Sequence, residues 1–256
     1  MQNYHLRILF IKGVDNANSM TLTFIRLFLI VIIAWSILLS VYSTNGTIMP
    51  AVNAQSAGED VDSLYSKALD AMDQDRYEEA IGYLDTILNV EPNNVDALTS
   101  KGDVLGELER YPEAIEYIDK ALAIEPDNVD ALTGKGDVLY DLERYPEAIG
   151  YYDKALAIEP NDTYALTSKG DVLYDLERYP EAIEYIDKAL AIEPNDTYAL
   201  TSKADNLYDS GRAQEAIVYY DKALAIDPNY VDALNNKANA LASLNARHIA
   251  VKGSLF

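Results

Sequence analysis

Between residues 61 and 244 the apolar side chains fall at helical spacing, in short blocks interrupted at regular intervals. In ALTGKGDVLYDL, Leu132, Gly136 and Leu139 stand at i, i+4 and i+7. They form one apolar helix face with a glycine where a second backbone can approach closely. The next block places Ala148, Ile149, Tyr152, Ala155 and Leu156 on a stripe of a second helix. Pro146 suits the first turn of that helix, where its missing N–H has no partner to lose. Pro160 stops the helix, and the adjoining Asn161 and Asp162 favour a turn and the cap of the following one. The octet LERYPEAI, at Leu108–Ile115, Leu142–Ile149 and Leu176–Ile183, is therefore expected to be the corner between two antiparallel helices.

This helix–corner–helix pattern recurs with a period of 34 residues. Five units, 61–94, 95–128, 129–162, 163–196 and 197–230, align without an insertion. The eighth place of each holds Ala68, Gly102, Gly136, Gly170 or Ala204, and the twentieth is always alanine, from Ala80 to Ala216. Each unit closes on a proline at its thirty-second place, from Pro92 to Pro228. The segments Lys135–Asn161 and Lys169–Asn195 differ at two positions only, as a recent duplication would leave them.

Before the repeats the pattern changes. Residues Leu27–Val41, LFLIVIIAWSILLSV, are apolar apart from two serines, and Arg7, Lys12 and Arg26 precede them against a single Asp15. Residues 1–54 are thus expected to be a signal peptide or a signal anchor. Ala51 and Ala54 stand near and at the end of a possible cleavage site before Gln55, and Met20 is an alternative start. Positive charge ahead of the apolar run predicts that the rest lies outside the cytoplasm, secreted or held by one span. Residues 55–60 form the end of a polar linker.

Composition narrows the chemistry. The chain of 256 residues has no cysteine, two isolated histidines (His5 and His248) and a net charge of −22. Thiol catalysis, disulfides and cysteine-based metal sites are excluded. The acidic balance opposes nucleic-acid binding, which needs Lys and Arg to release phosphate counterions. No cofactor or metal motif is present, and catalysis has little support: Asp137 and Asp141 lie one helical turn apart, but no His, Cys or glycine-rich phosphate loop accompanies them.

The small residue at place eight, the aliphatic residue at eleven, the aromatic at seventeen (Tyr77, Tyr111, Tyr145, Tyr179), the alanines at twenty and mostly twenty-seven, and the proline at thirty-two resemble the tetratricopeptide repeat pattern. Ile87 at place twenty-seven and Ala213 at place seventeen depart from it and are expected to loosen local packing. The resemblance implies an all-α fold: a right-handed superhelical solenoid of about five helix pairs whose first helices line a concave groove. A sixth first-type helix, 231–244, is expected to cap the stack, with Leu234, Ala238 and Leu241 covering the last repeat and residues 245–256 frayed.

With places four, eight and eleven buried, places two, five, nine, twelve and thirteen are expected to point into the groove. They supply Asp103, then Asp137, Tyr140 and Asp141, then Asp171, Tyr174 and Asp175, then Asp205, Tyr208 and Asp209. Tyrosine gives contact area at low entropic cost and carboxylates attract Lys or Arg, so a cationic or aromatic-rich protein segment is the expected partner. The family's clamp for acidic tails needs Lys, Asn and Arg in the groove and is not matched by Thr at place five and Asp at nine. The competing readings are a merely solvated acidic face and a self-assembling envelope solenoid without a peptide ligand. Asn45, Asn161 and Asn195 open N-glycosylation patterns, although Asp-Thr at the last two also suits a helix cap.

Overall fold

The computed structural model of the protein describes residues 60–253, and those residues form eleven α-helices and no strand. The expected leader with its apolar run and Asn45 lie outside the described residues. Five helix pairs follow the 34-residue register: α1 (Val61–Met72) with α2 (Tyr77–Val90), α3 (Val95–Glu107) with α4 (Tyr111–Ile124), α5 (Val129–Asp141) with α6 (Tyr145–Ile158), α7 (Thr163–Asp175) with α8 (Tyr179–Ile192), and α9 (Thr197–Asp209) with α10 (Ala213–Ile226). A single helix, α11 (Val231–Gly253), closes the stack. Each helix packs on its chain neighbours, and first helices also touch across repeats, α3 with α5 and α5 with α7. This is the right-handed solenoid expected from the register.

Local chemistry explains each boundary. The side-chain oxygens of Asn94 and Asn128 accept from the N–H groups of Ala97 and Ala131 at 2.9 Å, and Asp162 and Asp196 cap α7 and α9 in the same way. The Asp of each Asn-Asp-Thr triplet is therefore a helix cap. At the LERYPEAI corner, Glu143 adopts φ +57° and the Arg144 N–H donates to the Leu139 carbonyl at 2.8 Å, ending α5. The Arg144 guanidinium then holds Glu147 through two bonds of 2.8 Å on the first turn of α6.

Inside each pair, the alanines at place twenty are fully buried and the place-eight residue faces the partner helix. Gly136 shows why a small residue is required there: a Cβ on it would lie 2.5 Å from Cε1 of the buried Tyr152 ring. The departures at Ile87 and Ala213 do not open the interior, since both are buried.

A second device joins successive repeats. The lysine at place seven reaches back to an aspartate at place twenty-five of the preceding unit: Lys101 to Asp85, Lys135 to Asp119, Lys169 to Asp153, Lys203 to Asp187 and Lys237 to Asp221. Lys101, Lys169 and Lys203 also donate to Tyr117, Tyr185 and Tyr219 of their own repeats at 2.8 Å. In these three the ammonium stands 4.0 or 4.1 Å from the ring centroid. Burial alone would lower the Lys169 pKa; the bonds to Asp153 and Tyr185 outweigh it and leave it raised.

The last helix departs from expectation in length and in face. It continues to Gly253, well past residue 244, because nothing in its sequence breaks it where the octet breaks the earlier units. Ala233 and Ala240 turn inward, whereas Leu234, Ala238 and Leu241 face solvent. Places four, eight and eleven are buried elsewhere by the second helix of the same repeat, and α11 has no such partner among the described residues.

Candidate functional site

The first helices α3, α5, α7 and α9 carry the ten residues expected to line the groove, and five of them, Asp103, Asp137, Tyr140, Asp141 and Asp171, line cavities along these helices. Two of the expected directions are corrected. The threonines at place five are buried, and Thr133, Thr167 and Thr201 turn their hydroxyls back onto carbonyls of their own helices. The aspartates at place nine are half-buried, and three of them are held by donors from the partner helix or from the next repeat, so they are not fully open to the groove. Asp137 accepts from Tyr152 of α6 at 2.6 Å and from Tyr164 of the next repeat at 2.8 Å. Asp171 accepts from Tyr198 at 2.6 Å and Ser202 at 2.9 Å, and Asp205 accepts from Tyr220 at 2.5 Å and Asn236 at 2.9 Å.

A second row runs along the open rim. Tyr140 donates to Asp175 of the next repeat at 2.7 Å, and Tyr174 donates to Asp209. Tyr208 ends this row with no hydrogen bond to a described residue, and the place in α11 equivalent to Asp175 and Asp209 holds the shorter Ser243. Among the ten, the side chains of Asp103, Asp141 and Tyr208 thus have no hydrogen-bond partner among the described residues, while the other seven are tied into tyrosine–aspartate bonds.

Electrostatics follow from this placement. Burial pushes Asp171 up to about 6 against the pull of its Tyr198 and Ser202 bonds, and it raises Asp137 and Asp205 for the same reason. Burial, reinforced by Asp137, Asp130 and Glu107, pushes Asp103 up to about 7. The tyrosine hydroxyls of Tyr152, Tyr164 and Tyr198 are raised by burial and by their aspartate acceptors, so they remain donors. Among the described residues no three carboxylates or imidazoles are grouped to hold a metal ion.

The donors were the part that sequence reasoning missed. Tyr152 reads as core, and Tyr164 and Tyr198 stand at place two, one of the places expected to face the groove. The available signal was spacing: a carboxylate at place nine, with tyrosine 15 or 27 residues later. Two cavities lie along this face, an N-terminal one of about 460 Å³ near Tyr65, Asp103 and Gly134, and a tyrosine-rich one of about 580 Å³ near Tyr140, Tyr164 and Tyr198.

Comparison with known proteins agrees with the architecture. A profile described as "Tetratricopeptide repeat" matches residues 65–129, 101–163 and 133–197, and a "TPR repeat" profile matches 204–245. None of the curated proteins compared is similar in sequence. Among solved structures, the thermophilic TPR protein TTC0263 of Thermus thermophilus is 20% identical, with a TM-score of 0.64 over 72% of this chain and 100% of that one. YrrB, described as a TPR protein with an unusual peptide-binding site, is 25% identical, with a TM-score of 0.53 over 73% of this chain and 96% of its own. PilW, described as a type IV pilus biogenesis factor, is 23% identical, with a TM-score of 0.63 over 74% of this chain and 94% of its own. With profile matches over more than half its length and helix pairs in unbroken 34-residue register, the chain belongs to the tetratricopeptide repeat family.

Proposed function

We propose that the protein is a non-catalytic interaction scaffold on the extracytoplasmic side of a membrane, and that its concave face receives a cationic or aromatic-rich segment of a partner protein. Tetratricopeptide repeats are as a rule interaction modules and not enzymes, which supports the first part. The basic residues ahead of the apolar run at 27–41 support the location. The observation that carries the groove is the row of Asp141, Asp175 and Asp209 at its rim, each exposed, alternating with half-buried Tyr140, Tyr174 and Tyr208. Carboxylates attract a cation there and the rings offer it a rigid apolar bed.

The test compares two variants that remove the same charge. Asp141, Asp175 and Asp209 changed together to Asn alter the groove; Glu113, Glu147 and Glu181 changed together to Gln alter the second helices. A fluorescent peptide of alternating lysine and glycine should bind the groove variant more weakly and with less salt dependence, and bind the other as it binds the parent. Equal weakening in both variants would mean that the peptide senses net charge only, and the groove assignment would fail.

One observation favours a second reading, self-assembly. Val231, Leu234 and Leu241 of α11 are 62%, 46% and 43% exposed, and they lie on the face that a second helix covers in every other unit. Sedimentation of the protein over a range of concentrations, with and without Leu234→Lys, distinguishes a solitary scaffold from one that associates through α11.

A further inference from the structure

The aspartate at place nine occurs in four consecutive repeats, and in three of them it is held by side-chain donors. Asp137, Asp171 and Asp205 each accept two hydrogen bonds, from side chains at places twenty-four, two or six of their own or the next unit. Around Asp103 all three donor places are filled by residues that cannot donate. Ile118 stands where Asp137 has Tyr152, Asp130 where it has Tyr164, and Gly134 where Asp171 has Ser202. The carboxylate of Asp103, largely buried, accepts no hydrogen bond from any described residue. It leans into the space a serine would take, since a Cβ on Gly134 would collide with its Oδ1.

One turn earlier on α3 is a second orphan. Thr99 is 5% exposed and its Oγ1 has no partner, whereas Thr133, Thr167 and Thr201 at the same place bond back to their own helices. Thr99 and Asp103 both line the N-terminal cavity, together with Glu107 and Asp130. A carboxylate withdrawn from water without a donor is costly, so Asp103, which lines the cavity with no donor of its own, marks a place where one arrives from outside.

We infer that Thr99 and Asp103 form a pocket for one cationic side chain of the partner, an arginine guanidinium, set deeper than the exposed rim. Its fork of N–H donors matches the Asp103 carboxylate, with Thr99 in the wall behind it, and its charge offsets the mutual repulsion of Asp103, Asp130, Asp137 and Glu107. That repulsion also adds to the high affinity of Asp103 for a proton when the pocket holds no cation. The assignment rests on the groove reading above and names its anchor point.

The probe is N-acetyl-arginine amide, with N-acetyl-citrulline amide as its neutral isostere, titrated into the full-length protein and followed by carboxyl carbon resonances and by calorimetry. The arginine compound should move the Asp103 resonance first, and the citrulline compound should not move it. Asp130→Tyr with Gly134→Ser rebuilds the donors seen around Asp171 and should close the pocket, weakening binding about tenfold or more; Asp103→Asn should do the same without crowding. If the arginine compound shifts Asp141, Asp175 and Asp209 but leaves Asp103 still, or binds both variants like the parent, the pocket is wrong and the groove stands. Absence of any shift along the concave face would remove both.

Discussion

The hydroxyl of Tyr164 donates to Oδ2 of Asp137 at 2.8 Å, reaching from the first turn of one repeat to the middle of the one before. Oδ1 of the same carboxylate is held at 2.6 Å by Tyr152 from the partner helix. One aspartate therefore ties its own helix pair together and joins it to the next.

The two tyrosines should differ in what they contribute. Tyr152→Phe removes the donor in the interior, and equilibrium urea unfolding should show a loss of about 1.5–3 kcal/mol, the range for a bond to a charged group. Tyr164 is 56% exposed, so Tyr164→Phe should cost about 1 kcal/mol or less, since water can replace its hydroxyl. Equal costs would mean that the cross-repeat bond matters as much as the internal one.

Mild acid should stabilise the fold. Asp103 and Asp171 have folded-state pKa values raised to about 7 and about 6 from 3.8, so the native state binds their protons more tightly than the unfolded chain does. Their protonated forms contribute fully below the unfolded value, and that contribution is lost as pH rises through about 6 and 7. Thermal unfolding followed by circular dichroism should therefore give a higher midpoint at a pH of about 5.5 than at about 7.5. The gap should narrow in Asp103→Asn with Asp171→Asn, and an unchanged gap in that variant would assign the effect to net charge alone.

Lys169 separates packing from pairing. Its side chain is 7% exposed while that of Asp153 is 54% exposed, so the aspartate can rehydrate if its partner is lost. Lys169→Met keeps the apolar stem along the helix contact and should cost less than Lys169→Ala by about 1 kcal/mol or more in chemical unfolding. If both substitutions cost the same, the charge and not the stem holds the repeats together.

The corner carries strain that glycine removes. Glu143 adopts φ +57°, and the fifth repeat has Gly211, φ +86°, at the equivalent place. Glu143→Gly trades left-handed strain against greater freedom of the unfolded chain, and the balance should lie between no change and a gain of about 1 kcal/mol. A clear loss, read from the same urea transitions, would show that the Glu143 side chain contributes more than its backbone costs.

The fold was legible because spacing alone fixes it: place eight must be small against Tyr152 or its counterparts, place thirty-two must stop a helix, and both recur in phase. The groove residues were legible as positions but not as bonds. Tyr152 and Tyr220 sit on an apolar stripe, and periodicity cannot tell a phenol from a phenyl ring or foresee that its hydroxyl meets a carboxylate on the facing helix. The lysine clamps were hidden for a related reason, since a lysine at a buried place reads as an exception until its aspartate and tyrosine are seen around it. The face of α11 was misjudged because burial there was assigned by analogy to units that possess a second helix.

The lysine clamps and the tyrosine–aspartate bonds of the inner row share one property: none reaches farther than one unit along the chain. A cassette of one repeat length could be inserted after or removed from within the twin segments Lys135–Asn161 and Lys169–Asn195, and every clasp would find an equivalent partner. The number of units is therefore a variable that the gain or loss of one near-identical segment can adjust in a single step while every neighbour contact keeps its counterpart. What such an event alters is reach: the distance between the orphaned acceptors near Thr99 in the second unit and the uncovered seam of α11 changes by a whole step.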